Sequence, residues 1–337
     1  MSRISQSIDN LPLYWTLFVA TLTWFACHES ARINTDFKPD ESWNLAAAQL
    51  SLGQVVGLDV GPDGRVYVFH RADRLWTTPF PKENISSHTI AVLDPNSGQI
   101  MDRWGDGLFC MPHGLNVDHL NNVWVTDVGR HQIFKFDHKG ELIMVLGEER
   151  TAGDDESHFD QPTDVAISRK DSTVYISDGY GNSRVVIYTY MGSYLSEFGK
   201  KGHLPGAFDL PHAITIDSKD RIYVADRENS RVQSFDTSGK LLTVWDDASF
   251  NKLYSVTYSD SQEALVAIDY KANVIGQPIG SDIIFLNSDG TYKNKFGRSG
   301  NYEGETLRYH DIALDSNGNI YVGDIYKNRL VKFTIQP

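Results

Sequence analysis

One pattern recurs along this chain: an alternating apolar run, a turn rich in Gly, Asn or Asp, and a second run closing on Val-x-Asp or a relative of it. His113-Gly114-Leu115-Asn116-Val117 leads to Val123-Trp124-Val125-Thr126-Asp127, and Thr163-Asp164-Val165-Ala166-Ile167 leads to Val174-Tyr175-Ile176-Ser177-Asp178. His212–Ile216 leads likewise to Ile222–Asp226, His310–Leu314 to Ile320–Asp324, and Val56–Val60 to Val66–Phe69. Alternation puts successive side chains on opposite faces of a strand, and a short turn between two such runs is a hairpin. A third run follows Ser-Arg or Asn-Arg, as in Ser183-Arg184-Val185-Val186-Ile187-Tyr188, and a fourth follows a Gly turn, as in Gly192 to Gly199. Four short antiparallel strands in about 50 residues make a propeller blade. Copies start near 56, 112, 162, 211 and 309, and the double interval before the last is filled in degenerate form by Tyr254–Tyr258 and Ile283–Leu286. The sequence therefore predicts an all-β, six-bladed β-propeller over 44–337. A sandwich or a single barrel would not impose this period.

Three blades open on histidine: His113, His212 and His310, spaced 99 and 98 residues apart. They fall in blades two, four and six, with Thr163 and about Ser255 at the equivalent place in blades three and five. The first strand of a blade lines the central channel, so alternate blades of six bring three imidazoles together at one mouth. Such a set with an open fourth position suits zinc. The alternative is a histidine that merely caps each strand.

Net charge is −13 at 337 residues, which argues against nucleic-acid or polyanion partners. Only two cysteines occur, Cys27 and Cys110, and a bridge between them is not expected. Leu11 to Ala26 is an uncharged, mostly apolar run, short for a membrane span and suited to a secretory signal. Residues 1–27 are expected to be a signal peptide or membrane anchor, lipidated at Cys27 or left uncleaved, and the protein to be exported and extracellular or periplasmic. Residues 28–43 are polar, without period, and read as a linker.

Further residues collect at the predicted mouth. Asp311 follows His310; adjacent strand residues face opposite ways, so it is expected to serve a second cation or the backbone rather than the zinc. Arg71, in Phe69-His70-Arg71, stands where other blades carry Asp or Thr-Asp and can bind a carboxylate or form a surface ion pair. Tyr180 lies between Gly179 and Gly181, which let its phenol approach a ligand; beside a metal and an arginine its pKa is expected to fall so that it acts as a base, the alternative being a packing residue. Arg227 occupies the matching loop of blade four.

The stretches Met111-Pro112-His113-Gly114-Leu115, Trp124–Val128 with His131-Gln132, Phe159–Ala166, Ser177-Asp178-Gly179-Tyr180 and Val224–Asn229 resemble the peptidyl-α-hydroxyglycine α-amidating lyases, over about residues 53 to 334. The underlying NHL-type repeat is widespread; the combination of His70-Arg71, three histidines and Asp-Gly-Tyr is specific. The resemblance implies cleavage of a peptide-derived α-hydroxyglycine into an amide and glyoxylate. It implies zinc on His113, His212 and His310, and catalytic roles for Arg71, Tyr180 and Arg227. It also implies a structural calcium held by Asp311 and the carbonyls of Leu58 and Leu115. Two departures stand out. The animal family's two disulfides fall on Asp160 with Gly181 and Tyr223 with Ser234, which fits a bacterial-type relative. Its Met-Pro before the third histidine is Arg308-Tyr309 here. A monomer is expected. The competing readings are a non-catalytic propeller binding a protein or peptide, and a lactonase-like metallohydrolase, whose carboxylate and Asn ligands the histidines disfavour.

Overall fold

The computed structural model describes residues 32–33, 37–248, 250–297 and 307–335. The apolar run 11–26 and Cys27 lie outside them. The described chain forms six sheets, each with an antiparallel four-stranded core. Blade 1 runs Val55–Val60, Val66–His70, Ile90–Leu93 and Ile100–Trp104. Blade 2 runs Pro112–Val117, Val123–Asp127, Gln132–Phe136 and Leu142–Leu146, and blade 3 Pro162–Ile167, Val174–Asp178, Arg184–Tyr188 and Tyr194–Phe198. Blade 4 runs Pro211–Ile216, Ile222–Asp226, Arg231–Phe235 and Leu241–Trp245. Blade 5, the degenerate copy, has long inner strands, Lys252–Ser259 and Ala264–Ala272, then Asp282–Asn287 and Tyr292–Gly297. Blade 6 starts with Tyr309–Leu314, Ile320–Asp324 and Arg329–Ile335. Each inner strand lies against the next, and the sixth lies against the first, which closes the ring.

The outer strand of blade 6 comes from the other end of the chain: Phe37–Pro39 pairs antiparallel with Arg329–Ile335. A helix, Glu41–Ala48, follows, with the Asp40 carboxylate accepting from Trp43 N at its start. Trp43 is fully buried; its indole donates to Asp94 O in blade 1 (3.2 Å) and packs edge-on against Tyr321 of blade 6 at 5.5 Å. The linker expected over 28–43 is thus corrected from Phe37 onward: this part of it clasps the last blade to the first. Two isolated aromatic anchors among polar residues leave no periodic trace.

The repeated residues have blade-internal jobs. Tyr67, Trp124, Tyr175, Tyr223 and Tyr321, each three positions before the end of a second strand, are buried against the following blade. Val266 holds that place in blade 5. The aspartate of Val-x-Asp accepts backbone N–H groups leading into the inner strand: Asp127 from Cys110 N (2.6 Å), Asp178 from Asp160 N (2.9 Å), Asp226 from Asp209 N (2.7 Å). The arginine of Ser-Arg closes the clamp, Arg184 on Asp178 and Arg231 on Asp226. In blade 1 His70 replaces the aspartate, its Nδ1 accepting from Ala72 N at 3.1 Å.

Every inner strand breaks register near its start, at its second residue or, in blade 5, its third. The shifts lie between Val55 and Gly57, Pro112 and Leu115, Pro162 and Asp164, Pro211 and Ala213, Leu253 and Ser255, and Tyr309 and Asp311. A bulge turns the extra side chain out of the alternating pattern. The bulged residues are Val56, His113, Thr163, His212, Tyr254 and His310. The blade 5 equivalent of the histidines is therefore Tyr254, one residue before the Ser255 expected from the sequence.

Candidate metal centre

The six bulges alternate around the mouth, and the alternation builds the site. His113, His212 and His310 converge from blades 2, 4 and 6, with ring centroids 4.8, 4.7 and 5.0 Å apart and one nitrogen of each within 4.8 Å of the others. The intervening blades supply carbonyls. Thr163 O accepts from His113 Nδ1 (2.7 Å), Tyr254 O from His212 Nδ1 (2.6 Å), and Val56 O from His310 Nδ1 (2.8 Å). A carbonyl can only accept, so each Nδ1 carries the proton and each Nε2 keeps a lone pair. Burial holds all three rings neutral. Burial, with the charge of Arg71 adding to it, pushes the His113 pKa down to about 3, and those of His212 and His310 fall well below the usual value through burial and repulsion from His113. Three neutral, backbone-oriented imidazoles form a donor set that fits a divalent metal with an open position.

Tyr180 closes that position. Its hydroxyl lies 3.2 Å from both His113 Nε2 and His212 Nε2, with Arg227 Nη1 at 3.4 Å. Gly179 permits the approach: a Cβ there would sit 2.0 Å from Pro211 O. Trp76, on the long connection before Ile90–Leu93, packs over the Tyr180 ring at 5.1 Å. With no metal present, burial pushes the Tyr180 pKa up, and Arg227 and Arg71 only partly oppose it. The expected lowering is therefore not a property of the protein residues by themselves.

Arg71 is buried. Its Nε donates to Pro112 O (3.0 Å) and its Nη1 to Gln54 Oε1 (2.9 Å), while Nη2 has no hydrogen-bond partner among the described residues. The expected register of Arg71 is corrected: His70 pairs with Val55 as Asp226 pairs with Pro211, so Arg71 is the counterpart of Arg227. Blades 1 and 4 are three apart in a ring of six, so the two arginines come from opposite sides of the mouth. Arg227 is held by Glu228, which also takes Lys252.

Asp311 stays out of the imidazole cluster and ties blade 6 to blade 1. Its Oδ2 accepts from Leu58 N (2.7 Å) and its Oδ1 from Ser255 Oγ (2.6 Å). The strand bearing Leu58 passes close to that of Leu115: a Cβ on Gly57 would lie 2.7 Å from Leu115 N. Burial, with the charge of Asp59 behind it, pushes the Asp311 pKa up to about 7, and Asp164 is raised well above the carboxylate range by burial and by Asp311. Buried carboxyls held close together fit a hard cation here, as oxygen donors suit calcium.

Tyr254 and Trp76 went unrecognised in the sequence. Tyr254 was findable only by counting registers through the bulge. Trp76 has no repeat equivalent, and nothing in its local pattern marks it. The positions matching the animal disulfides are neighbours in space: Gly181 N donates to Asp160 O (2.9 Å), and Tyr223 pairs with Ser234 across adjacent strands.

The NHL repeat family matches residues 109–136 and 208–235, in blades 2 and 4. The chain is 33% identical over 324 residues to the peptidylglycine alpha-amidating monooxygenase of Rattus norvegicus, covering 89% of this chain and 32% of that protein. It is 29% identical over 340 residues to the peptidyl-alpha-hydroxyglycine alpha-amidating lyase 1 of Drosophila melanogaster, covering 90% of this chain and 61% of that one. The chain thus spans about a third of the length of the rat relative. Among solved structures, a streptogramin B lyase superposes with a TM-score of 0.57 at 16% identity, over 89% of this chain and 97% of that one; the likeness is one of fold.

Proposed function

The chain is a homologue of the peptidyl-α-hydroxyglycine α-amidating lyases on an NHL-repeat propeller, and from that premise we propose that it cleaves an N-acyl-α-hydroxyglycine into the corresponding amide and glyoxylate. The reaction needs no water. The hydroxyl proton leaves oxygen, a carbonyl forms, the C–N bond breaks, and the departing nitrogen takes up one proton. The observation that carries the reading is the Tyr180 hydroxyl held 3.2 Å from two imidazole nitrogens, between arginines from opposite blades.

His113, His212 and His310 would hold the metal, which we take to be zinc; bound there it supplies Lewis acidity toward the substrate hydroxyl, lowering its pKa. Tyr180 is placed to receive the hydroxyl proton, a general-base role worth about 10²–10⁴ in rate. A metal cation beside it would oppose the upward push of burial, as Arg227 and Arg71 already do. The unpartnered Nη2 of Arg71 is free to bind the glycine carboxylate. Trp76 over the Tyr180 ring limits access of water to the base. Asp311, with the carbonyls of Leu58 and Leu115, would hold calcium as a tie between blades. Export, through residues 1–27, completes the reading.

The test is glyoxylate release from α-hydroxyhippurate by purified protein, with and without chelator. Release that chelator abolishes and zinc restores is expected. Absence of release by the zinc-loaded protein would overturn the lyase reading.

A further inference from the structure

Among the described residues, Arg71, Arg227 and Arg308 stand at the mouth, and of these Arg227 has a carboxylate partner. Arg227 is neutralised by Glu228. Arg71 Nη2 and Arg308 Nε are buried N–H donors without a hydrogen-bond partner. Arg308 enters just before the inner strand of blade 6, two residues ahead of His310. Its Nη2 donates to the Tyr254 hydroxyl at 2.6 Å, and its guanidinium lies over the rings of Tyr254 (5.3 Å) and Tyr270 (4.6 Å). Tyr254 in turn packs against His212 (4.9 Å) and His310 (5.7 Å) and lies under Arg227 (5.1 Å). Aromatic faces fix a guanidinium in place while leaving its charge intact.

A buried donor left unpaired is costly, the more so when it is charged. Two of them at one mouth point to ligand groups that complete them. The glycine carboxylate of the proposed substrate satisfies one arginine and leaves the other. We propose that the substrate carries a second carboxylate, on its acyl part, and that Arg308 is the residue that selects it. This rests on the lyase reading for the first carboxylate. The substrate class is then an N-acyl-α-hydroxyglycine with an acidic acyl group, such as a dicarboxylic acid or an acidic residue preceding the hydroxyglycine.

N-succinylglycine and its neutral isostere N-succinamoylglycine lack the α-hydroxyl, so both bind without reacting. Their affinities for the zinc-loaded, full-length protein are measured by calorimetry on wild type, Arg308→Met and Arg308→Gln. Wild type is expected to prefer the dicarboxylate by about tenfold or more, as a charge-assisted guanidinium contact implies. In either variant the preference is expected to fall to within about twofold. Equal affinity of wild type for the two ligands overturns the proposal even if neither variant folds. Retention of the preference in a folded variant overturns it as well. Because these ligands do not turn over, the outcome is separate from glyoxylate release: a selective but inactive protein would refute the lyase reading and leave the acidic pocket standing.

Discussion

Tyr180 shows how narrowly the site is built at the level of single residues. Its hydroxyl faces two Nε2 lone pairs because Gly179 leaves room beside Pro211 O. Gly179→Ala would push a Cβ into that carbonyl, and we expect a loss of about 1–3 kcal/mol in stability with at least about a tenfold fall in kcat/KM as the phenol is displaced; urea denaturation and glyoxylate assays read the two. Tyr180→Phe keeps the ring and removes the hydroxyl proposed to act as base. Its kcat is expected to fall by about 10²–10⁴ with bound zinc unchanged, and a fall below tenfold would remove Tyr180 from proton transfer. His70 gives a pH prediction. Burial lowers its pKa from 6.5 to about 4, with the charge of Arg103 adding to the effect. The unfolded chain therefore binds the proton first, and the stability this neutral ring contributes is present above about pH 6.5 and lost as pH falls toward 4. Between pH 7 and 4.5 wild type should lose about 2–3 kcal/mol more than His70→Asn, whose amide oxygen can accept the same N–H without titrating; parallel pH profiles would contradict this. The three histidines were legible because a repeat converts sequence spacing into angle. The role of Tyr254 was not, because a bulge shifts the register by one and alternation cannot show it.

At the level of elements, the recurring Val-x-Asp and Ser-Arg motifs turned out to be internal clamps. Asp178 with Arg184 and Asp226 with Arg231 fasten each blade to its own entry turn. The blade pattern was readable for this reason: each copy repeats the same local contacts. The ring closure was not readable, since it rests on Phe37–Pro39 and on Trp43 in a polar stretch. Trp43→Ala removes a fully buried indole that bridges blades 6 and 1 and is expected to cost about 3–5 kcal/mol. The unfolding transition should stay single, because opening one seam exposes the edges of both blades. A variant within about 1 kcal/mol of wild type would show that the clasp contributes little to closure.

Across the whole molecule, the charges separate. The chain carries a net −13, yet its histidine-lined mouth presents Arg71, Arg227 and Arg308 around three neutral imidazoles. Carboxylates Asp59, Asp164 and Asp311 lie past the bulges of the inner strands of blades 1, 3 and 6. The ring thus stacks a neutral nitrogen site on an oxygen site, a division that suits a softer metal at the mouth and a harder one below. Sixfold alternation produces it: every second blade gives a histidine, and the others give the carbonyls that aim it. The three clustered histidines could be picked out from the sequence, while the ring nitrogen that each turns toward the mouth needed the neighbouring backbone. The most direct test of the account is to titrate metal-free protein with zinc while following glyoxylate release from α-hydroxyhippurate. The rate should rise linearly and level off at one zinc per chain, and His212→Ala should show no such rise. Activity that is indifferent to zinc, or equal in His212→Ala, would contradict a lyase built on the three histidines.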